Sequence, residues 1–367
     1  MMLAVVLCLA VVSSTDAMAK KGNKEVKKLW DIRLRGVTMD LRLEESDMDD
    51  LAEWGANSVR LMLRYGELNE KEEPYGYREE GFKKLDRMLD WCEERDIRCI
   101  IDMHEPPGKK DVCLPKDRDL RLWKEFRFHD ILVETWEKIA ERYASRGKVV
   151  AAYDILNEPN PMEQFGMPEG NWNKLARRIV KAIRKYDETR PVIIEPTHWA
   201  DPDYFAFLKP VEDPYAAYSF HFYKPFKFTT QGVNYFEEWM VENEYPGKID
   251  GRMYDKKQLE KLMKPAIKFQ KKHGVEIYCG EFSAVRYAPN NSAYRYIRDC
   301  IEIFEKYGFH WSYHGYREWT GWSAEHGEDK EDQTRSETET DRFKLLKKYF
   351  MMDTEKTAES PGEPEEK

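Results

Sequence analysis

The sequence predicts an α/β protein, a single (β/α)₈ barrel of the TIM type, and three observations point to that fold class. Eight short apolar runs recur along the 367 residues, and most are separated by longer stretches in which apolar residues repeat at helical spacing. Strands that alternate with helices favour a parallel sheet, and eight is the number of strands that closes this barrel. No internal repeat, Pro/Gly-rich linker or second apolar module divides the sequence, so we expect one domain.

The strands are placed on the apolar runs, and the helices on amphipathic stretches such as "EEGFKKLDRMLDWCEER" and "NWNKLARRIVKAIRKYDE". A run of four to eight apolar residues is typical of a strand buried on both faces, as in a parallel barrel. In chain order the predicted strands are 32–37, 58–63, 98–103, 150–156, 192–195, 216–222, 276–279 and 309–312.

One predicted connection, residues 223–257, is unusually long and rich in Phe, Tyr and Trp. Loops of this length in a barrel are more often functional than passive, which favours a role beside a binding cleft. The alternative is a small satellite core in which these aromatic side chains pack against one another.

The two ends of the chain differ from the part between them. An apolar run over 2–12, followed by Ala17-Met18-Ala19, predicts a signal peptide over 1–19 and export to the extracellular space or periplasm. The run is too short to anchor the protein in a membrane; the alternative is a buried N-terminal helix. Residues 353–367 are charged and poor in apolar residues, which predicts a disordered acidic tail. The domain is therefore expected over 20–352.

Composition limits the partners. The formal net charge of −9 argues against nucleic acid and anionic membranes, whereas 11 Trp and 21 Tyr suit stacking on a neutral, ring-shaped ligand. Neither a CxxC pair nor a His-rich spacing occurs, so we expect no metal and no cofactor. Cleavage of the signal would leave five cysteines, an odd number that excludes a full disulfide framework but permits one bridge: Cys92, Cys99, Cys113, Cys279 and Cys300.

Polar residues collect where the predicted strands end, most clearly in "VAAYDILNEPNP". Each has an ordinary explanation by itself: an arginine pairs with a helix carboxylate, a histidine is structural, and a glutamate caps a helix or lies in a turn. In a closed parallel barrel, however, the carboxyl ends of all strands converge on one face, where active sites lie. The residues expected to share that face are Arg60, His104, Asn157, Glu158, His221, Tyr223 and Glu281.

Two carboxylates at a barrel mouth, without metal ligands or a nucleophilic Ser or Cys motif, predict glycoside hydrolysis. One carboxyl group must give a proton to the leaving oxygen and the other must be ionised, so their environments must differ. Arg60, if it points at Glu281, would favour the charged form of that residue, and Tyr223 could donate a hydrogen bond to it. We therefore predict Glu281 as the nucleophile and Glu158 as the acid/base.

Five motifs occur in order between about residues 29 and 350: "SVRLML", "IIDMHEPPG", "YDILNEPN", "SFHFY" and "YCGEFS". In these the chain resembles glycoside hydrolase family 5, the cellulase family within the clan of retaining (β/α)₈ hydrolases. The resemblance implies the same two roles for Glu158 and Glu281. It further implies that Asn157 bonds the 2-hydroxyl of the sugar, that Arg60 and Tyr223 position the nucleophile, and that His104 and His221 line the subsite beside the scissile bond.

The sequence departs from the family at one point. Members usually carry a Trp at the end of strand eight as a platform for the sugar, and in "HWSYHGYREWTGW" that position is His314. We predict that Trp319, after a short loop, curls back to serve as the platform. Trp311 lies earlier on the strand and is the other candidate, although a strand aromatic is usually part of the core.

These observations predict a secreted, retaining endo-β-1,4-glucanase, a monomer whose partner is a polysaccharide or oligosaccharide β-glucan. Retention requires carboxyl groups about 5–5.5 Å apart, against about 6.5–9.5 Å in inverting enzymes. Mannan, xyloglucan, xylan and β-1,3-glucan stay open as substrates, as does cleavage inside the chain or from its ends. From a different class, a non-catalytic carbohydrate-binding barrel is the alternative, although two opposed acids have no use in a binding module.

Overall fold

Eight parallel strands close into a barrel in the computed structural model, which describes residues 24–110, 118–161, 170–233 and 237–352. The predicted fold class is confirmed. In chain order the strands are β1 (Arg35–Asp40), β2 (Ser58–Met62), β3 (Arg98–Asp102), β4 (Val150–Asp154), β5 (Val192–Ile194), β6 (Ala216–Phe222), β7 (Gly247–Ile249), β8 (Arg252–Tyr254), β9 (Ile277–Phe282) and β10 (His310–Tyr313). The barrel consists of β1 to β6, β9 and β10, and β10 pairs with β1 to close it; β7 and β8 form a separate antiparallel hairpin.

Helices follow most barrel strands and cover the barrel from outside. The long helices bury an apolar stripe; α2, for example, buries Phe82, Leu85 and Leu89. No helix within the described ranges is long and apolar enough to cross a lipid bilayer. The helices are α1 (Glu45–Glu53), α2 (Glu79–Glu94), α3 (Phe126–Tyr143), α4 (Gly170–Ile183), α5 (Thr197–Ala200), α6 (Phe226–Thr229), α7 (Lys256–His273), α8 (Ser292–Tyr307) and α9 (Asp341–Phe350).

The amino end of the barrel is plugged by apolar side chains. Trp30 lies there with 6% of its surface exposed, and its indole N–H donates to the carbonyl of Ala151 at 3.0 Å. It packs in one cluster with Leu34, Ile100 and Tyr278. Because this end is filled, a ligand can enter only at the carboxyl ends of the strands.

Most predicted strands differ from the observed ones by one or two residues at an end, and two, the first and the seventh, differ by three. The first strand begins at Arg35 rather than at residue 32, because the apolar residues before it belong to the plug. The seventh barrel strand extends to Phe282, so Glu281 lies inside β9. Arg60 was expected at a strand end and instead lies in the middle of β2, opposite Ile100 of β3.

The long connection after β6 contains α6 and the β7–β8 hairpin. Phe228 and Tyr245 from this connection are fully buried and pack on each other and on Tyr296 of α8. All three belong to the main hydrophobic core, so they do not form a separate satellite core. Residues 234–236 of the connection lie outside the described residues. A role for it beside the cleft stays a prediction.

The described cysteines Cys92, Cys99, Cys279 and Cys300 are buried free thiols. Cys113 lies outside the described residues, as do the predicted signal peptide and the predicted acidic tail. The bounds of the domain therefore stay predictions. The monomeric state also stays a prediction.

Candidate active site

The two predicted catalytic carboxylates meet at the open end of the barrel. Glu158 lies four residues beyond β4, and Glu281 is the penultimate residue of β9, beside His221 of β6. One oxygen of each carboxylate and one ring nitrogen of His221 all lie within 4.8 Å of one another. The side chain of Glu158 is 19% exposed and that of Glu281 is 5% exposed. The sequence therefore predicted correctly that the two residues share one face.

Glu158 has a strained backbone. Its φ is 44°, in the left-handed region that non-glycine residues rarely adopt. The conformation is held because the Glu158 N–H donates to a carboxylate oxygen of Glu195 at 2.7 Å, and Pro159 follows directly. The chain therefore bends sharply at Glu158, and this bend directs the Glu158 carboxylate toward Glu281.

Arg60 is fully buried beneath the two carboxylates and holds the floor of the site together. Its Nη1 donates to Glu281 at 2.9 Å, as predicted, and its Nε donates to Asp154 at 2.9 Å. Burial would lower the pKa of Arg60, but the surrounding acids raise it well above its usual value. Its Nη2 lies within 3.2 Å of three further oxygens, on Asp102, Asn157 and Glu195.

The acids around Arg60 are held in different charge states. Burial, followed by the charge of Glu195, raises the pKa of Asp154 well above its usual value, which favours the protonated form. For Glu195, burial raises the pKa, but His221 and Arg60 outweigh that effect and the pKa is lowered. A single guanidinium therefore does not have to balance four full negative charges.

Glu281 is surrounded by donors. One oxygen accepts from Arg60, and the other accepts from the Tyr223 hydroxyl at 2.9 Å and lies 2.9 Å from Nδ1 of His314. Burial would raise the pKa of Glu281, but the charges of His221, His314 and Arg60 hold it well below its usual value. This carboxylate is consequently ionised at neutral pH, as a nucleophile must be.

His221 bridges the two sides of the site. Its Nδ1 lies 2.7 Å from Glu158 and 3.6 Å from Glu281, and its Nε2 lies 3.0 Å from Glu195. Burial would lower the pKa of His221, but Glu195 and Glu281 raise it well above its usual value. Because the side chain is only 1% exposed, its contacts are with the carboxylates rather than with a cleft surface.

His104 and Asn157 form a second edge of the site. Nδ1 of His104 lies 2.7 Å from Asp102, and its other nitrogen lies 3.4 Å from the amide nitrogen of Asn157. The amide oxygen of Asn157 accepts from Arg60, so its orientation is fixed. The His104 side chain is 13% exposed, which leaves part of the ring open to a ligand.

Three tryptophans follow or lie on β10. Trp311 is fully buried against Phe350, so it belongs to the core. Trp319 is 39% exposed and contacts Trp322, whose ring stacks on Tyr223 at 5.3 Å. Trp319 as the sugar platform stays a prediction, and the structure brings Trp322 into contact with the site instead.

Sequence reasoning missed several residues at this face. Glu195 directly follows β5 in "IIEP", where a Glu-Pro pair comes after a strand as it does at Glu158, and that signal could have found it. Asp102 and Asp154 are the last residues of β3 and β4, and the sequence pattern places them within predicted strands rather than after them. Glu318, which contacts His314, gave no signal because it lies in an irregular segment.

Among the residues that the structure describes, Glu158, His221 and Glu281 are close enough together to suit a metal ion. All three side chains are already engaged by protein groups: His221 lies 2.7 Å from Glu158 and 3.0 Å from Glu195, and Glu281 accepts from Arg60 at 2.9 Å.

Comparison with known proteins identifies relatives along most of the chain. The family model "Cellulase (glycosyl hydrolase family 5)" matches residues 22–349. Endoglucanase C of Acetivibrio thermocellus is 30% identical over 299 residues, 75% of this chain and 84% of the relative. Cellodextrinase A of Ruminococcus flavefaciens is 26% identical over 288 residues, 77% and 81% of the two chains. A hyperthermophilic endo-β-1,4-glucanase, solved with substrate, is 23% identical with a TM-score of 0.69, covering 84% of this chain and 96% of that one.

The buried ion cluster predicts a pH-dependent loss of stability when its cation is removed. Arg60→Met should lower the free energy of unfolding by about 3–5 kcal/mol at pH 7, because buried carboxylates lose their partner. The difference in the free energy of unfolding between this variant and wild type should become smaller toward about pH 5, because the buried carboxylates of the variant take up protons and lose their unpaired charge. Chemical denaturation at several pH values measures both effects.

Arg127→Met is the matched control, because Arg127 also pairs with two carboxylates but is 50% exposed. Its effect on the free energy of unfolding should be much smaller than that of Arg60→Met, because exposed ion pairs stabilise a protein little. An Arg60→Met protein as stable as this control would contradict the account of the cluster.

Proposed function

The chain belongs to the cellulase family, glycosyl hydrolase family 5, and is a glycoside hydrolase; on that basis we propose that it is a retaining endo-β-1,4-glucanase acting on cellulose or related β-glucans. The observation that carries the proposal is the approach of the Glu158 and Glu281 carboxylate oxygens to within 4.8 Å. A separation of about 5–5.5 Å between carboxyl groups suits direct attack on the sugar, whereas an inverting pair needs room for a water molecule between acid and sugar.

In the first step a carboxylate oxygen of Glu281 attacks the anomeric carbon. The bond from that carbon to the glycosidic oxygen breaks, and the oxygen takes the proton of Glu158, so the leaving sugar departs as a neutral alcohol. Arg60 and Tyr223 support this assignment because both donate to Glu281 and fix its oxygens. The product is a glycosyl ester on Glu281 and an ionised Glu158.

In the second step Glu158 acts as the base. It removes a proton from a water molecule, whose oxygen attacks the anomeric carbon and displaces the carboxylate of Glu281. Both residues return to their starting protonation states. His221 supports the change of role, because its ring lies between the two carboxylates and 2.7 Å from Glu158.

The names of the relatives support a β-1,4-glucan as substrate. Endoglucanase C is named for internal cleavage, and cellodextrinase A for action on short chains of the same glucan. Half-exposed Trp319 and the polar edge of His104 and Asn157 are the groups we propose for sugar contact. Export before action on such a substrate rests on the sequence of residues 1–19.

Substituting each carboxylate should produce a different defect. Glu281→Ala should lose turnover, because no nucleophile remains, and azide should restore cleavage of an activated β-cellobioside by giving the α-glycosyl azide. Glu158→Ala should lose about 10²–10⁴-fold on an unactivated substrate but far less on the activated one, and azide should give the β-glycosyl azide. NMR of the azide products identifies the anomer, and the reverse pattern would exchange the two roles.

Reducing-sugar assays on carboxymethylcellulose, lichenan, mannan, xylan and laminarin should give the highest rate on one of the first two. Viscosity of carboxymethylcellulose should fall before many reducing ends appear, since internal cuts shorten chains fastest. Glu281→Ala serves as the matched inactive control. A higher rate on mannan, xylan or laminarin would contradict the substrate assignment, and binding without cleavage of any polymer would support the carbohydrate-binding barrel.

A further inference from the structure

His314 occupies the position where the family resemblance expects a tryptophan platform. It follows β10 directly, and its side chain is 8% exposed. Nδ1 lies 2.9 Å from an oxygen of Glu281, and Nε2 lies 2.7 Å from an oxygen of Glu318. The ring is therefore a bridge between the proposed nucleophile and a second carboxylate rather than a flat surface for a sugar.

The contacts themselves indicate the charge of the ring. Both nitrogens face carboxylates, and a carboxylate that is ionised can only accept. Nδ1 also lies 2.6 Å from the Tyr223 hydroxyl oxygen, but that hydroxyl gives its single proton to Glu281, so Nδ1 faces only acceptors. A neutral imidazole carries one N–H and can donate on one side of the ring only, whereas an imidazolium donates on both sides. The arrangement consequently requires a proton on each nitrogen of His314.

The outer carboxylate of the bridge is itself anchored. Glu318 accepts from a guanidinium nitrogen of Arg64, and Nε of Arg64 lies 3.4 Å from Asp40. Asp40 also accepts from Arg42, whose side chain is 68% exposed. Charges of alternating sign thus extend from Glu281 to the protein surface, and Glu318 cannot turn away from His314 without leaving Arg64.

We propose that His314, held by Glu318, is a positioning residue that keeps the proposed nucleophile Glu281 charged and oriented, in the place where the family resemblance leads us to expect an aromatic platform. The inference rests on the proposed role of Glu281. It assigns to the end of the eighth barrel strand an electrostatic task, the support of the attacking carboxylate, in addition to shaping the sugar subsite.

The electrostatic environment agrees with this geometry. Burial would lower the pKa of His314, but Glu281 and Glu318 raise it to about 10. Burial would raise the pKa of Glu318, but His314 and then Arg64 lower it to about 2. All three members of the bridge are therefore charged across the neutral range, and the cation contributes to the depressed pKa of Glu281.

Other groups also face Glu281, and the test must separate them from His314. Arg60 keeps its charge at every pH of interest, and the hydroxyl of Tyr223 stays protonated because burial, then the charge of Glu281, raises its pKa. Substituting His314 leaves the bonds from Arg60 and Tyr223 to Glu281 in place, although it removes the 2.6 Å contact between Nδ1 and the Tyr223 hydroxyl. The titratable and charged groups facing Glu281 are Arg60 from β2, Glu158 after β4, His221 from β6, Tyr223 directly after β6, and His314 after β10. Glu195 after β5 contacts two of them, Arg60 and His221.

The test uses a 2-deoxy-2-fluoro-β-cellobioside with a dinitrophenolate leaving group, which traps the glycosyl ester and needs no proton from Glu158. Peptide mass spectrometry of the inactivated wild type should place the label on Glu281. The rate of inactivation as a function of pH then reports the ionisation of this one carboxylate. A wild type without label on Glu281 would contradict the proposed function itself, and the inference with it.

His314→Asn keeps an N–H near the position of Nδ1 but removes the charge and the link to Glu318. Without the cation the pKa of Glu281 rises, so inactivation should be lost at a pH about 1–3 units higher than in wild type as the solution is acidified. His326→Asn is the matched control, because His326 is a buried histidine of the same segment that contacts Ser323 instead. Its profile should equal that of wild type.

Two further variants keep the proposal open to contradiction if His314→Asn does not fold. His314→Gln should shift the profile in the same direction. Glu318→Gln leaves the contact with Glu281 untouched, and NMR of ¹⁵N-labelled histidine rings should show His314 losing its proton at least about one pH unit lower than in wild type. Label on Glu281 with unshifted profiles, or an unchanged titration of His314, would overturn the inference while the proposed function stood.

Discussion

The site depends on one buried cation. Arg60 has no exposed surface, and its guanidinium reaches carboxylates supplied by β3, β4, β9 and the residue after β5. Burying such charges costs several kcal/mol each unless geometry and hydrogen bonds are good, so the cluster tolerates few arrangements. Because Arg60 and these carboxylates lie on, or directly follow, five different strands, the cluster fixes how the strand ends meet. The catalytic face is consequently a product of the ion pairs below it.

The same cluster separates the surroundings of the two glutamates. Glu281 lies within the strand wall, where donors from β2, β6 and the residue after β10 stabilise its charge. Glu158 lies beyond its strand on a left-handed residue, is more exposed, and is held through its backbone by Glu195. Glu281 is thus held by hydrogen bonds to its carboxylate oxygens, whereas Glu158 is held by a hydrogen bond from its backbone N–H. The proposed mechanism needs two carboxyl groups in different environments, because one attacks the sugar and the other transfers protons.

Residue patterns predicted the barrel, both glutamates and the two donors to Glu281 from Arg60 and Tyr223, because apolar runs and motif positions report burial and strand ends directly. They did not place Arg60 in the middle of β2, since a run of buried residues carries no information on register. Glu195 was not predicted as a site residue, because β5 has only three residues and its end is poorly defined by the sequence. The sequence shows His314 only as a histidine at a position where a tryptophan is expected. Its contacts depend on the path of an irregular segment, which hydrophobic periodicity does not predict.

The central claim is that Glu281 attacks the sugar directly, and the configuration of the first product tests it most directly. Proton NMR can follow the anomeric signals while cellopentaose is cleaved, before mutarotation mixes the two forms. Two displacements at one carbon predict that the β-anomer appears first and the α-anomer only later. Initial appearance of the α-anomer would mean that water attacks in a single step, and it would contradict the assignment of Glu281 as nucleophile.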